Sequence, residues 1–164
     1  MIISSGGLPQ GRTTTRSRER PEELGFDKSE LQFLSPIDLK ADIVRMGFDI
    51  YVDLTISTTV ALHCGRCLEA YQLALRINSK MLYVPAQAGM QGRTADGGVF
   101  LYRNSTIDLA DRICEAIREE LPMKPLCRPD CRGLCPHCGR NLNEGPCGCK
   151  EKDESFHPFE GLRL

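Results

Sequence analysis

The stretch from Cys127 to Cys149, CRPDCRGLCPHCGRNLNEGPCGC, constrains this chain more than any other. Six cysteines fall inside it as three pairs, Cys127/Cys131, Cys135/Cys138 and Cys147/Cys149, and the only aliphatic residues among them are Leu134 and Leu142. Such a segment cannot fold around a hydrocarbon core, because it carries too little apolar surface to offset the entropy of ordering its backbone. Thiolates closing on one tetrahedral metal ion supply that free energy instead. The sharpest local signal is Cys135-Pro-His-Cys-Gly139. Two thiolates spaced Cys-x2-Cys sit on one tight turn and aim at a common centre, and the following glycine permits the positive φ that such a turn needs.

A disulfide framework would use the same residues but requires an oxidising compartment. Residues 1–20 open with Met, Ile and Ile and continue in Gly, Ser, Thr and Arg, which is not the pattern of a secretory leader. No run approaches the roughly 20 apolar residues of a membrane span. The expectation is a cytoplasmic, reduced protein with no membrane partner and with metal at its cysteines. Four thiolates suit zinc and can also hold iron or an iron–sulfur cluster. The close Cys147-Gly-Cys149 pair does not match ferredoxin spacings, so Zn2+ is the expected cofactor.

At 164 residues the chain has room for one domain and a small metal-held lobe. Hydrophobic residues at 41% allow a modest core, and 6% aromatics without tryptophan make it a light one. The net charge of −1 does not mark the whole chain as a nucleic-acid binder. Its cations are unevenly placed, however. Arg12, Arg16, Arg18 and Arg20 crowd the start, and Lys124, Arg128, Arg132, Arg140 and Lys150 run through the cysteine stretch, where acids are few.

Residues 1–30 show no apolar period and carry Gly6, Gly7, Pro9 and Gly11, so they are expected to form a disordered basic tail. A sheet-plus-helix core is expected over 31–122, and the zinc lobe with a C-terminal segment over 123–164. Ile37, Leu39, Ala41 and Ile43 alternate with Asp38, Lys40 and Asp42 as in a half-buried strand, and Met46-Gly47 breaks the run. Phe48, Ile50, Val52, Leu54, Ile56, Val60 and Leu62 then hold even positions up to Cys64-Gly-Arg-Cys67, a second Cys-x2-Cys. Period two resumes through Tyr71, Leu73, Leu75, Ile77, Met81 and Tyr83, which makes a hairpin whose turn carries two ligands. A glycine-rich loop over 87–98 and a short strand at 99–102 follow. A helix is expected to begin at 106–108 and to bury Leu109, Ile113, Ile117 and Leu121 before Pro122 stops it. Cys114 reads as a small core residue within that helix. Phe156, Phe159, Leu162 and Leu164 suggest an amphipathic return segment. The fold class is α+β: an antiparallel sheet, as a twisted meander or partial barrel, with one main helix and a C-terminal cysteine-rich zinc-binding lobe.

Eight cysteines remain when Cys114 is set aside, enough for two four-thiolate sites. Cys135, Cys138, Cys147 and Cys149 can close locally. Cys64 and Cys67 would then need Cys127 and Cys131, clamping the lobe onto the sheet. One shared ribbon of Cys64/Cys67 with Cys135/Cys138 is the competing arrangement, and it leaves four thiols idle. His63 and His137 stand beside ligands and read as bystanders.

Cys64-Gly65-Arg66-Cys67-Leu68-Glu69 and the distant run from Leu121 to Asn143, LPMKPLCRPDCRGLCPHCGRNLN, together resemble the YceD family, the large ribosomal RNA subunit accumulation proteins. The resemblance runs from about Leu34 onward and does not include the basic start. It implies a bacterial or plastid protein that supports 23S ribosomal RNA accumulation and large-subunit biogenesis, with no known reaction. It also implies a second cluster that some members lack, which here would be Cys135, Cys138, Cys147 and Cys149. The partners it implies are large-subunit ribosomal RNA, a pre-ribosomal particle or a ribosomal protein, with no small-molecule substrate.

On this reading the zinc sites are structural and present Arg66, Arg128, Arg132 and Arg140 on rigid loops to RNA or a protein partner. Asn141 and Asn143 are expected to bond the backbone of the knuckle turn. A zinc-ribbon protein–protein adaptor without RNA contact is the alternative. No catalytic residue is expected. A catalytic zinc needs an open position and a nearby base, and a redox Cys-x-x-Cys opens a helix, whereas Cys64 and Cys67 lie between two strands.

Overall fold

Alternating apolar and polar residues are satisfied by a pleated sheet with one face buried. The computed structural model, which describes residues 1–27, 29–86, 98–103 and 105–149, builds such a sheet from most of the chain. Its elements are β1 (Ile2–Ser4), β2 (Gly11–Glu19), β3 (Gln32–Phe33), β4 (Ile37–Met46), β5 (Asp49–His63), β6 (Ala70–Pro85), β7 (Val99–Tyr102), β8 (Thr106–Asp108) and α1 (Ala110–Glu120). The main sheet runs β2-β4-β5-β6-β7, with β3 pairing β5 beyond the end of β4, and β1 and β8 form a separate ribbon. The register places Leu39 and Ile77 on either side of Ile56, and Ile43 and Met81 on either side of Val52. Those residues therefore share one face and are buried there with Ile37, Ala41, Ile50, Leu54 and Tyr83. Helix α1 covers this face with Ile113 and Ile117, and the residue before it, Leu109, is also fully buried. Each such aliphatic side chain contributes roughly 1.5–3 kcal/mol relative to exposure.

Four expectations are corrected. First, residues 1–30 are not a free tail: β2 pairs along its whole length with β4, from Gly11 opposite Arg45 to Glu19 opposite Ile37. The stretch escapes a hydrophobic-period reading because it is an edge strand held by its backbone ladder, with threonine and serine at its inward positions. Arg45 ties the preceding turn down by donating from Nη1 to the carbonyls of Ser5 (2.9 Å) and Leu8 (2.7 Å). Second, the sheet is mixed, since β7 lies parallel to β6. The connection from Pro85 to Val99 is long enough to return the chain to the same end of the sheet. Third, Thr106–Asp108 is strand β8, captured by β1, and the helix starts at Ala110, whose N–H donates to Asp108 Oδ1 at 2.9 Å. Fourth, Phe48 sits in the β4–β5 turn and is 74% exposed. Most of the expected loop at 87–98 and the segment at 156–164 lie outside the described residues. No helix among the described residues is long and apolar enough to cross a membrane.

Arg45→Ala should reduce unfolding free energy by about 1–3 kcal/mol, the range for hydrogen bonds from a charged donor. Urea denaturation measures the total, and hydrogen exchange should show residues 5–19 losing protection first. Unchanged protection would mean that Arg45 does not hold the N-terminal strand in place.

Candidate metal centres

The β5–β6 hairpin is closed by Cys64-Gly-Arg-Cys-Leu-Glu69 rather than by a two-residue turn. Within it the Cys64 N–H donates to the Glu69 carbonyl (2.9 Å) and the Leu68 N–H to the Cys64 carbonyl (2.9 Å). The segment Cys135–Arg140 repeats this pattern: the Cys135 N–H donates to the Arg140 carbonyl (2.8 Å) and the Gly139 N–H to the Cys135 carbonyl (2.9 Å). The two knuckles therefore have one build, in which residue 68 corresponds to residue 139. Both residues are left-handed, with φ of 63° at Leu68 and 71° at Gly139. Glycine adopts that conformation freely, whereas a leucine there costs about 1–2 kcal/mol.

The cysteine-rich segment docks on the first knuckle through its backbone. Gly65 donates to the Pro125 carbonyl (2.7 Å), and Leu134 donates to the Arg66 carbonyl (3.1 Å). The Arg66 guanidinium donates to the Cys131 carbonyl (2.8 Å), and Asn141 Nδ2 to Glu69 Oε1 (2.7 Å). Gly133 has φ 76°, and a Cβ there would lie 3.1 Å from the Arg66 carbonyl, so a side chain would be strained in its backbone and would force this strap and the hairpin apart by a few tenths of an ångström. These bonds bring Cys127 and Cys131 to Cys64 and Cys67. The expected separate lobe over 123–164 is thus, where described, joined closely to the hairpin tip.

Two groups of four thiols result: Cys64, Cys67, Cys127 and Cys131, and Cys135, Cys138, Cys147 and Cys149. Within each group all Sγ atoms lie within 4.8 Å of one another. Cys64 and Cys131 are 3.7 Å apart, Cys67 and Cys127 3.7 Å, and Cys135 and Cys147 3.3 Å. A tetrahedral ion with metal–sulfur bonds of about 2.3 Å has sulfur–sulfur edges of about 3.8 Å, close to the first two separations. A disulfide bond is only about 2.05 Å long, and all nine cysteines are free thiols. Either donor set could hold a metal ion. In the first group Cys64, Cys67 and Cys131 are buried, while Cys138 and Cys149 of the second are exposed. The shared ribbon does not form, and neither His63 nor His137 belongs to a group. Cys114 lies in the core and donates to the Leu24 carbonyl at 3.1 Å.

Within each group the thiols titrate unequally. Burial pushes the Cys64 thiol up, but backbone N–H groups of Cys67, Cys127 and Arg66 outweigh it and bring the pKa down to about 6. Backbone N–H groups of Cys138 and His137 likewise lower Cys135 to about 6. Burial and the neighbouring thiols raise Cys127 to about 12, and the Cys138 thiol and burial raise Cys149 to about 12. Negative charge gathers on one sulfur and is disfavoured on its neighbour, as in any closely packed set of acids.

Asn143 is the site residue that sequence reasoning assigned too small a role. Its Oδ1 accepts the Arg132 N–H (2.8 Å) and Arg128 Nη2 (2.8 Å), and its Nδ2 reaches Cys131 Sγ at 3.3 Å. The Asn143 side chain lowers the pKa of Cys131. Carried on the loop between Cys138 and Cys147, this amide links the second group to a thiol of the first. The expected backbone bonding by asparagine is only part of its work, and the added signal is an amide placed among thiolates. Arg66 and Arg128 are both engaged in the framework, whereas Arg132 lines a hollow beside Cys135 and Cys147 and Arg140 is exposed.

Comparison with known proteins adds an independent line. The family model described as large ribosomal RNA subunit accumulation protein YceD matches residues 52–164. An uncharacterized protein of Mycobacterium tuberculosis is 33% identical over 126 residues, which cover 77% of this chain and 61% of that protein. The protein named large ribosomal RNA subunit accumulation protein YCED homolog 1, chloroplastic, from Arabidopsis thaliana is 24% identical over 95% of this chain and 59% of its own length. Its Zea mays counterpart of the same name is 25% identical over 89% and 61%. The chain spans about three fifths of the length of the curated relatives it matches. No solved structure matches it.

Leu68→Gly should stabilise the metal-loaded protein by about 1 kcal/mol by relieving the left-handed leucine, read as a higher thermal midpoint. A lower midpoint would mean that the Leu68 side chain makes a contact the knuckle needs.

Proposed function

The chain belongs to the YceD family, and on that premise we propose that it is a non-catalytic factor supporting 23S ribosomal RNA accumulation and large-subunit biogenesis, framed by two structural zinc sites. The sites would be held by Cys64, Cys67, Cys127 and Cys131, and by Cys135, Cys138, Cys147 and Cys149. The observation that carries this reading is the completeness of both donor sets: four thiols converge in each, which leaves a tetrahedral ion no open position for substrate or water. Zinc bound there would supply folding free energy to a segment with little core of its own. The chain's residues do the rest. Arg66 and Gly133 seat the strap on the hairpin, and Asn143 steadies a thiolate of the buried site.

Of the four arginines expected to meet a partner, Arg66 and Arg128 bond within the framework. Contact with a pre-ribosomal particle is therefore assigned to Arg132 and Arg140, the two whose side chains the framework does not use. The compartment in this proposal is reducing, the cytoplasm, as the free thiols favour; the plant relatives are named chloroplastic. A second reading, a zinc-ribbon adaptor that touches only protein, is favoured by the net charge of −1.

Native mass spectrometry should count two zinc ions per chain. Cys135→Ser with Cys138→Ser should remove one and leave the sheet folded, whereas Cys64→Ser should remove one and destabilise the hairpin. A count of one or none would overturn the two-site assignment. Crosslinking the tagged protein in cells and sequencing the RNA recovered should give discrete peaks on 23S ribosomal RNA or its precursor. Arg132→Glu with Arg140→Glu should weaken association with pre-ribosomal particles. A ribosomal protein recovered without an RNA peak would favour the adaptor.

A further inference from the structure

The basic start of the sequence, which the family match at residues 52–164 does not include, finds its place in the sheet. Alternate residues of β2 face away from the core, so Arg12, Thr14, Arg16 and Arg18 lie on the open face. The register sets Arg16 opposite Lys40, Lys40 opposite Thr55 and Thr55 opposite Asn78. The adjacent row reads Arg18, Asp38, Ser57 and Arg76, and the next Thr14, Asp42, Asp53 and Lys80. Six cations, Arg12, Arg16, Arg18, Lys40, Arg76 and Lys80, thus share a face with four acids, Asp38, Asp42, Asp49 and Asp53. Arg18 pairs with Asp38 (2.6 Å), Lys40 with Asp42 (2.6 Å) and Lys80 with Asp53 (4.0 Å). Arg16 and Arg76 have no acidic partner among the described residues. They stand on the first and last of four adjacent strands, about 14 Å apart across the sheet at three strand spacings of about 4.8 Å and offset by one row along it. A shallow hollow of about 660 Å³ opens on this face around Arg12 and Thr14, lined by Arg12, Lys40, Asp42, Tyr51, Asp53 and Lys80 among others. The opposite side of the molecule, where α1 covers the sheet, exposes Asp111, Glu119 and Glu120. A chain of net charge −1 therefore carries a net-positive open sheet face in addition to its basic cysteine stretch.

We infer that the open face of β2-β4-β5-β6 is an RNA-backbone contact surface, separate from the metal knuckles. The inference deepens the proposed function and rests on it for the identity of the polyanion. Charge complementarity names the occupant. The guanidiniums of Arg16 and Arg76, without an acidic partner among the described residues, suit phosphates, and the hydroxyls and amide between them, on Thr55, Ser57 and Asn78, suit phosphate and 2′-hydroxyl oxygens. Tyr51, in the row of Arg12, is the one tyrosine, phenylalanine or tryptophan among the outward residues of these four strands, so base stacking is not the mode, and structured RNA read by its backbone fits better than splayed single strands. Binding should be steeply salt-dependent and weakly sequence-dependent.

The test uses the full zinc-loaded chain and a fluorescent RNA duplex of mixed sequence, titrated at several salt concentrations. Arg16→Gln with Arg76→Gln should weaken binding about tenfold or more at low salt and reduce the salt slope by about 2, one for each lost phosphate contact. Arg16→Lys with Arg76→Lys should recover most of the affinity, and an unchanged thermal midpoint would separate lost contact from lost fold. Arg132→Gln with Arg140→Gln, matched in charge to the sheet variant, should weaken duplex binding less than the sheet variant does. Loss in the knuckle variant with none in the sheet variant would overturn the inference and leave the proposed function standing. Tighter binding of polyglutamate than of duplex would also overturn it, in favour of an acidic protein partner. Arginine-dependent duplex binding together with normal large-subunit RNA in cells lacking the protein would uphold the surface and sink the proposed function instead.

Discussion

The ladder between β5 and β6 is the interaction on which everything else hangs. Fourteen residue pairs, from Ile50 opposite Tyr83 to His63 opposite Ala70, hold the two strands in one register. At one end that register buries Val52, Leu54, Ile56, Ile77 and Met81 beneath α1. At the other it delivers Cys64 and Cys67 to a single point. A one-residue slip would turn the core outward and rotate both thiols away from Cys127 and Cys131, so packing and the candidate metal site are enforced by the same hydrogen bonds. The chain tolerates a left-handed Leu68 in the closing turn because strands on both sides over-determine its conformation.

The two thiol groups share a knuckle but not an environment. The first is mostly buried and sewn to the sheet through Gly65, Arg66 and Gly133, so its loss loosens the strap and the hairpin together. The second is open, with Cys138 and Cys149 exposed, and it rests on a local loop. Asn143 joins them by placing its amide between the Arg132 backbone and the Cys131 thiol. This asymmetry ties the first group to the sheet and leaves the second on a local loop. It also divides the arginines: Arg66 and Arg128 bond within the joint, and Arg132 and Arg140 are exposed beyond it.

Much of the architecture was legible because it is written in periods and spacings. The period of two over Ile37–Ile43 and Ile50–Leu62 marks β4 and β5, since alternate side chains must face opposite sides of a pleat. The helical spacing of Leu109, Ile113 and Ile117 marks the buried face of α1. The division of eight cysteines into two fours follows from ligand count. What escaped reading depends on partners distant in sequence. β2 has no large apolar side chain and is a strand only because β4 lies beside it. Thr106–Asp108 resembles a helix start until β1 claims it. The parallel placement of β7 is a matter of connection length and available edge, which local propensity does not encode.

The sequence by itself determined that this chain has a one-sided sheet, a single amphipathic helix and cysteines in ligand-like pairs, because each is a short-range pattern with a direct physical cause. Only the tertiary structure decided which pairs meet, which arginines are consumed by the framework, and that a basic stretch resembling a tail lies in register with Lys40, Thr55 and Asn78. Those outcomes turn on strand register and on backbone hydrogen bonds between segments dozens of residues apart. Such contacts exist only once the chain has closed on itself.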